Sequence, residues 1–302
     1  MIEAIGLTKH YRKKRAVNDV SFNVETGKVT GFLGPNGSGK TTTMRLMLGL
    51  DNGGGETLYD GKPLASYSQP SAVVGMLLEA KAFHPTRTAR NHLRVLAAAA
   101  GLSDTRVDES LERVGLEDVA TKMPGKFSLG MSQRLGIAAA ILSSPKYLFL
   151  DEPANGLDPE GIAWLRAFIK DYADQGNGVL VSSHLLSEVS QMADNIVVIG
   201  KGKLIASTSM EELVTGSSQT HVFVRTPELQ RLEGILHRKL LAFQHYNGGL
   251  RVTSAKTDDI GRLAFDAGVP VYELVCQQPT LETAFLELTA DAEEYHAQEI
   301  VR

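Results

Sequence analysis

The chain has 302 residues, 43% of them hydrophobic and 22% charged, with a formal net charge of −4. That length and composition fit a globular protein of two domains, and the acidic balance argues against a nucleic-acid partner. No apolar run approaches the ~20 residues of a membrane helix, Met1 is not followed by a signal peptide, and Cys276 cannot form an internal disulfide, so a cytoplasmic protein is expected.

Residues 2–7 and 17–24 read as short strands, joined by a loop with the one basic cluster, Arg12-Lys13-Lys14-Arg15. Tyr11 falls in that loop, suited either to stacking on adenine or to packing. Next come an apolar strand at 29–33, then Gly34-Pro35-Asn36-Gly37-Ser38-Gly39-Lys40-Thr41, then helical spacing over 41–50, with Thr42 as a further nucleotide-site candidate. This is G-x-x-x-x-G-K-[ST] in its required strand–loop–helix setting. Glycines let several backbone N–H groups converge on one phosphate chain, and the helix adds its positive end. Lys40 would meet the β- and γ-phosphates, and the Thr41 hydroxyl would ligate Mg²⁺. The motif implies a nucleoside triphosphate.

A turn at 52–55 leads to a hairpin over 56–64 and a strand at 73–78. Residues 88–142 turn helical. The run 147–150 is a buried strand, followed by a helix at 162–172, a strand at 179–181, a helix at 185–192 and a strand at 196–199. Such alternation builds a parallel sheet covered on both faces. Near Ser217 the pattern changes. Residues 219–302 hold 8 basic and 12 acidic residues, the whole net charge, and read β-α-β-β-α-β with an added helix at 281–288. That order suggests a ferredoxin-like domain. Apolar neighbours of Cys276 predict a buried thiol.

Asp151-Glu152 end the apolar strand Leu148-Phe149-Leu150, where ligands of parallel sheets bind. Asp151 would then hold Mg²⁺, and Glu152 would accept a proton from the attacking water. Between the two motifs lies Phe127-Ser128-Leu129-Gly130-Met131-Ser132-Gln133-Arg134; beyond them come Asn155-Gly156-Leu157-Asp158 and His184.

In this set and order, residues 1–215 resemble the ATPase subunit of an ATP-binding-cassette (ABC) transporter. Ser128 to Gly130 resemble the family's signature motif, Asn155 to Asp158 its D-loop and His184 its switch histidine. The wording Ser-Leu-Gly-Met, Asp-Glu-Pro-Ala-Asn-Gly-Leu-Asp-Pro and Pro279-Thr280-Leu281-Glu282-Thr283-Ala284-Phe285-Leu286 is similar to exporters of the bacitracin and daunorubicin resistance type. Two departures stand out. Leu129 and Met131 replace a glycine and the glutamine of the usual signature, and Glu79 stands where the family has its Q-loop glutamine, a third metal-ligand candidate beside Thr41 and Asp151.

The resemblance implies an α/β P-loop NTPase domain at 1–217, with a helical subdomain about 83–143, and a small accessory α+β domain at 218–302. It implies ATP and Mg²⁺ as cofactors, with Ser128, Gly130 and Asp158 joining the nucleotide site across a pair of ATPase subunits. A second ATPase chain and a transmembrane permease follow as partners, the permease meeting the region 83–96, on the cytoplasmic face of the membrane. Export is the first reading. An importer subunit with a regulatory tail and a soluble ATPase of the same superfamily share the motifs. Glu152 and His184 both being present speaks against a catalytically dead regulator.

Overall fold

The computed structural model describes residues 1–12, 14–79, 81–216, 221–253 and 255–277. The amino-terminal half runs β1 (Ile2–Tyr11), β2 (Lys14–Val24), β3 (Val29–Leu33), α1 (Lys40–Met47), β4 (Gly54–Tyr59), β5 (Lys62–Pro63), α2 (Pro70–Val73), β6 (Val74–Leu77), α3 (Ala89–Ala99), α4 (Asp104–Arg113) and α5 (Leu129–Ile141). After it come β7 (Tyr147–Leu150), α6 (Pro159–Asp174), β8 (Gly178–Ser183), α7 (Leu186–Val189), β9 (Asn195–Gly200), β10 (Lys203–Ser209) and α8 (Met210–Gly216). The last described elements are β11 (His221–Arg225), α9 (Leu229–Arg238), β12 (Phe243–Tyr246), β13 (Gly249–Thr253), α10 (Thr257–Asp266) and β14 (Glu273–Gln277). Two compact units divide at Met210 and Glu211.

The first unit is built on a six-stranded sheet of order β10-β9-β3-β8-β7-β6, parallel except for β10. Every residue of β7 and β8 is buried, as central parallel strands require. Strand alternation sends Leu148 and Leu150 to one face, against a core shared with Leu93, Leu111, Leu135 and Leu165 of α3 to α6. Tyr147 and Phe149 face the other way, toward α1 and a second, antiparallel sheet of order β2-β1-β4-β5. There the Phe22 and Phe32 rings stack at 5.3 Å, and burying each such ring contributes roughly 1.5–3 kcal/mol. Three helices start on side-chain caps: Thr88 accepts from the Asn91 N–H, Ser128 from Met131 and Asp158 from Gly161, the last with Pro159 in the first turn.

Several expected boundaries move. Strands β1 and β2 run on into the basic cluster, so Tyr11 ends a strand rather than lying in a loop; Lys13 is outside the described residues. Helix α5, within the expected helical stretch 88–142, begins at Leu129 because Ser128 caps it; Gly130 therefore lies inside the first turn. Only Leu186–Val189 of the expected helix 185–192 is α-helical.

The second unit has the order β-α-β-β-α-β and an antiparallel sheet β12-β13-β11-β14, the ferredoxin-like arrangement. Val222, Val224, Leu232, Leu236, Leu250 and Ile260 form its own core. Cys276 is exposed, not buried: although it pairs with the core residue Val222, β14 is an edge strand, with no further strand of the described residues covering its other side. The expected helix 281–288 lies outside the described residues.

Candidate functional site

Strands β3, β8 and β7 are adjacent, so the segments leaving their carboxyl ends converge. These are the loop Gly34 to Gly39, the turn carrying His184, and Asp151-Glu152. The loop fits closely against its surroundings. A Cβ on Gly34 would come within 2.3 Å of the Ile199 carbonyl; Gly39 caps α1 at φ +107°, and a Cβ there would come within 2.6 Å of the Ala16 carbonyl. Neither position accepts a side chain.

Lys40 is 6% exposed; its ammonium donates to the Gly34 carbonyl at 2.7 Å and lies 3.2 Å from Glu152 Oε1. The other carboxylate oxygen of Glu152 lies 2.9 Å from His184 Nδ1. The Thr41 hydroxyl donates to Asp151 Oδ2 at 2.5 Å. Thus Lys40, Thr41, Asp151, Glu152 and His184 form one constellation drawn from the start of α1 and the ends of β7 and β8. Glu152 adopts φ +47°, a left-handed backbone that costs a non-glycine residue about 1–3 kcal/mol. From that backbone conformation its side chain reaches the Lys40 ammonium. Two polar atoms here, Ser38 Oγ and Glu152 Oε1, are buried with no hydrogen-bond donor or acceptor in geometry among the described residues. The Lys40–Glu152 contact is therefore an ion pair rather than a hydrogen bond. Pro35, Asn36 and Gly37 form the outer loop, Asn36 and Gly37 exposed, and Thr42 follows Thr41 in the first turn of α1.

Sequence reasoning missed Ser182. Its hydroxyl accepts the Glu152 N–H at 2.8 Å and donates to Asp151 Oδ1. The available signal was a pair of serines closing an otherwise apolar strand. Ser183 does something else: it accepts the Leu185 N–H at 3.0 Å and donates to Glu188 at 2.7 Å, shaping the turn that carries His184.

Tyr11 donates its hydroxyl to Asp51 Oδ2 at 2.9 Å, and Lys9 sits 5.0 Å from its ring centre. The hydrogen bond to Asp51 raises the phenol above its ordinary value, with partial burial adding to it. Arg45 holds Asp51 with two hydrogen bonds of 3.1 Å and lowers its carboxyl. One edge of the ring is thereby fixed while the residue stays 48% exposed.

Ser128, Gly130 and Asp158 come together elsewhere. They line a pocket of about 220 Å³ between the starts of α5 and α6, with Met131, Arg134 and Trp164, and no lining residue belongs to the phosphate loop. Arg134 stacks over the Trp164 ring at 4.3 Å, and the Gln133 side-chain oxygen is buried without a partner among the described residues. A Cβ on Gly130 would meet nothing closer than 3.5 Å, so packing within the chain does not demand a glycine.

Glu79 is exposed, two residues beyond Leu77, whose carbonyl accepts the Asp151 N–H at 2.8 Å. Its carboxylate joins neither Thr41 nor Asp151. It lines a cavity of about 620 Å³ whose other walls include Leu78, Phe83, His92 and Leu96. Burial, reinforced by Arg87 and His84, pushes the His92 imidazole below its ordinary value.

A family model described as ABC transporter matches residues 17–155, and one described as a domain of unknown function matches 220–282. The bacitracin transport ATP-binding protein BcrA of Bacillus licheniformis is 34% identical over 296 residues, covering 95% of this chain and 97% of that protein. Among solved structures, an ATP-binding subunit of an ABC transporter matches at TM-score 0.65 and 28% identity, over 72% of this chain and 93% of that one. The dimeric post-hydrolysis ATP-binding cassette MJ0796, bound to ADP and Pi, matches at TM-score 0.63 and 22% identity, over 70% and 99%, a likeness of fold.

Proposed function

Since the chain belongs to the ATP-binding proteins of ABC transporters, we propose that it powers an exporter, hydrolysing ATP in a pair of such subunits to drive a separate permease. The observation that carries this reading is the division of its motifs into two places. Lys40, Thr41, Asp151, Glu152 and His184 form one half-site, and Ser128, Gly130 and Asp158 line another pocket on the same chain. Two copies facing each other would complete each half with the other. Ser128 and Gly130, at the start of a 13-residue helix, would then present N–H groups and the helix dipole to the γ-phosphate.

In the first half-site the loop Gly34 to Gly39 wraps the phosphates, Lys40 balances their charge and Tyr11 offers its face to the base. The two atoms there that lack a hydrogen bond among the described residues, Ser38 Oγ and Glu152 Oε1, suit a phosphate oxygen and a water as partners. The donor set also fits Mg²⁺. Thr41 and Asp151 supply hard oxygens, and among the described residues no group of three or more His, Cys, Asp or Glu could hold a metal alone. An ion that takes one or two protein oxygens and completes its shell with phosphate and water matches that arrangement. When bound, Mg²⁺ neutralises charge on the β- and γ-phosphate oxygens. Glu152 takes the proton of the attacking water as its oxygen bonds to the γ-phosphorus and the bond to the leaving ADP oxygen breaks. His184, 2.9 Å from Glu152, holds that carboxylate in place.

The apolar cavity between Leu78, Phe83 and Leu96 offers the permease a docking groove beside Glu79, which ties the membrane partner to the end of β6. This reading places the chain on the cytoplasmic face, against that partner; no helix of the described residues is long and apolar enough to cross a membrane. Export is favoured by likeness to BcrA along almost the whole chain. We assign ATP hydrolysis to residues 1–217 and an accessory, pair-forming role to residues 218–302.

Glu152→Gln tests the scheme. It removes the base but keeps size and leaves Asp151 in place, so the variant should bind Mg-ATP and accumulate as a dimer without turnover. Light scattering that finds the Mg-ATP-loaded variant monomeric would overturn the paired site for identical copies.

A further inference from the structure

We propose that Ser182 is a positioning residue for hydrolysis, its hydroxyl locking Asp151 and Glu152 in a fixed relative orientation. The proposal rests on the nucleotide site described under the proposed function. Ser182 has no exposed surface and is the penultimate residue of a strand that otherwise reads Gly-Val-Leu-Val before it. A hydroxyl there must find partners, and it finds two on the neighbouring strand's exit. It accepts the Glu152 N–H at 2.8 Å and donates to Asp151 Oδ1.

Each bond has a separate consequence. A carboxylate rotates freely about its last torsion, and both oxygens of Asp151 are chemically equal. Tying Oδ1 to Ser182 leaves Oδ2 as the oxygen that meets Thr41 at 2.5 Å. The second bond anchors the amide of Glu152 in its left-handed conformation, φ +47°, from which its side chain reaches both Lys40 and His184. One hydroxyl therefore sets the angle between the metal-facing acid and the base. The next residue cannot substitute, because Ser183 is spent on Leu185 and Glu188.

Ser182→Ala, Ser182→Cys and Ser182→Thr separate positioning from plain packing. Alanine removes both bonds, cysteine keeps the volume with a poor donor and acceptor, and threonine keeps the hydroxyl. In the full chain, Ser182→Ala and Ser182→Cys should lose about tenfold to a hundredfold in kcat with a much smaller change in KM for ATP. The gain in nucleotide affinity on adding Mg²⁺ to an EDTA-treated sample, read by calorimetry, should shrink in both, and Ser182→Thr should recover both quantities. Wild-type kcat and wild-type Mg²⁺ gain in Ser182→Cys would overturn the proposal, whatever happens to the folding of Ser182→Ala. Glu152→Gln run alongside keeps the two ideas apart. If it is inactive while the Ser182 variants are fully active, only the present inference falls. If it turns over normally, the site reading falls and takes this one with it.

Discussion

At the scale of single residues, Glu79 is the departure with the clearest chemical consequence. It follows β6, whose last residue Leu77 is hydrogen-bonded through its carbonyl to the Asp151 amide, so the chain just before Glu79 is tied to that of Asp151. A carboxylate is a hard oxygen ligand, like the glutamine amide oxygen of the family's Q-loop, but at the ion it would add a negative charge near the γ-phosphate. If Glu79 reaches the ion in the closed pair, Glu79→Ala should raise the Mg²⁺ concentration needed for half-maximal hydrolysis, and Glu79→Gln should leave it near wild type. An unchanged Mg²⁺ dependence in Glu79→Ala would assign the residue to the rim of the docking groove instead. The phosphate loop and Asp151-Glu152 were legible from sequence because each is a contiguous string whose chemistry follows from neighbours. Ser182 was not, since its role depends on β8 lying beside β7, a pairing that no local pattern reveals.

At the scale of elements, the same limit hides the clamp that joins the antiparallel sheet to the parallel one. Asp60, in the turn between β4 and β5, accepts from Lys146 at 2.8 Å, from the Tyr147 hydroxyl at 2.8 Å and from the amino terminus at 2.7 Å. The turn itself was readable as Asp-Gly; its three partners lie 59, 86 and 87 residues away. Partial burial opposes ionisation of Asp60, but these hydrogen bonds outweigh it and pull the carboxyl down to about 2. Because the folded value lies below the unfolded one of ~3.9, the stabilisation is complete above pH ~5 and is lost as pH falls toward 2. The side chain is 37% exposed, so solvent screening holds the effect to roughly 1 kcal/mol. Asparagine tolerates the left-handed φ of +50° at this turn, so Asp60→Asn isolates the charge. Urea unfolding should find Asp60→Asn less stable by about that amount at pH 7, with the gap narrowing between pH 5 and pH 3. A gap independent of pH would show that the clamp works by shape alone.

At the scale of the whole molecule, the element order was legible in both units because hydrophobic period and turn residues agree along the chain. The exact ends were not, since caps such as Ser128 and edge positions such as Cys276 are decided by what packs nearby. Each unit also closes its own core. The first buries Leu93, Leu135, Leu148 and Val181 together, and the second buries Val222, Leu236, Leu250 and Ile260. Every residue assigned to nucleotide chemistry, from Tyr11 to His184, lies in the first. A chain ending at residue 217 should therefore fold, bind ATP and hydrolyse it at a basal rate near that of the full protein. What should change is pairing: without the second unit, the Glu152→Gln variant should need more Mg-ATP to form its dimer, read as a rightward shift in a light-scattering titration. Two results would count against this division. An insoluble product would show that residues beyond 217 cover apolar surface of the first unit. A soluble product with an unshifted titration would remove the second unit from pairing and leave its role to the permease side of the assembly.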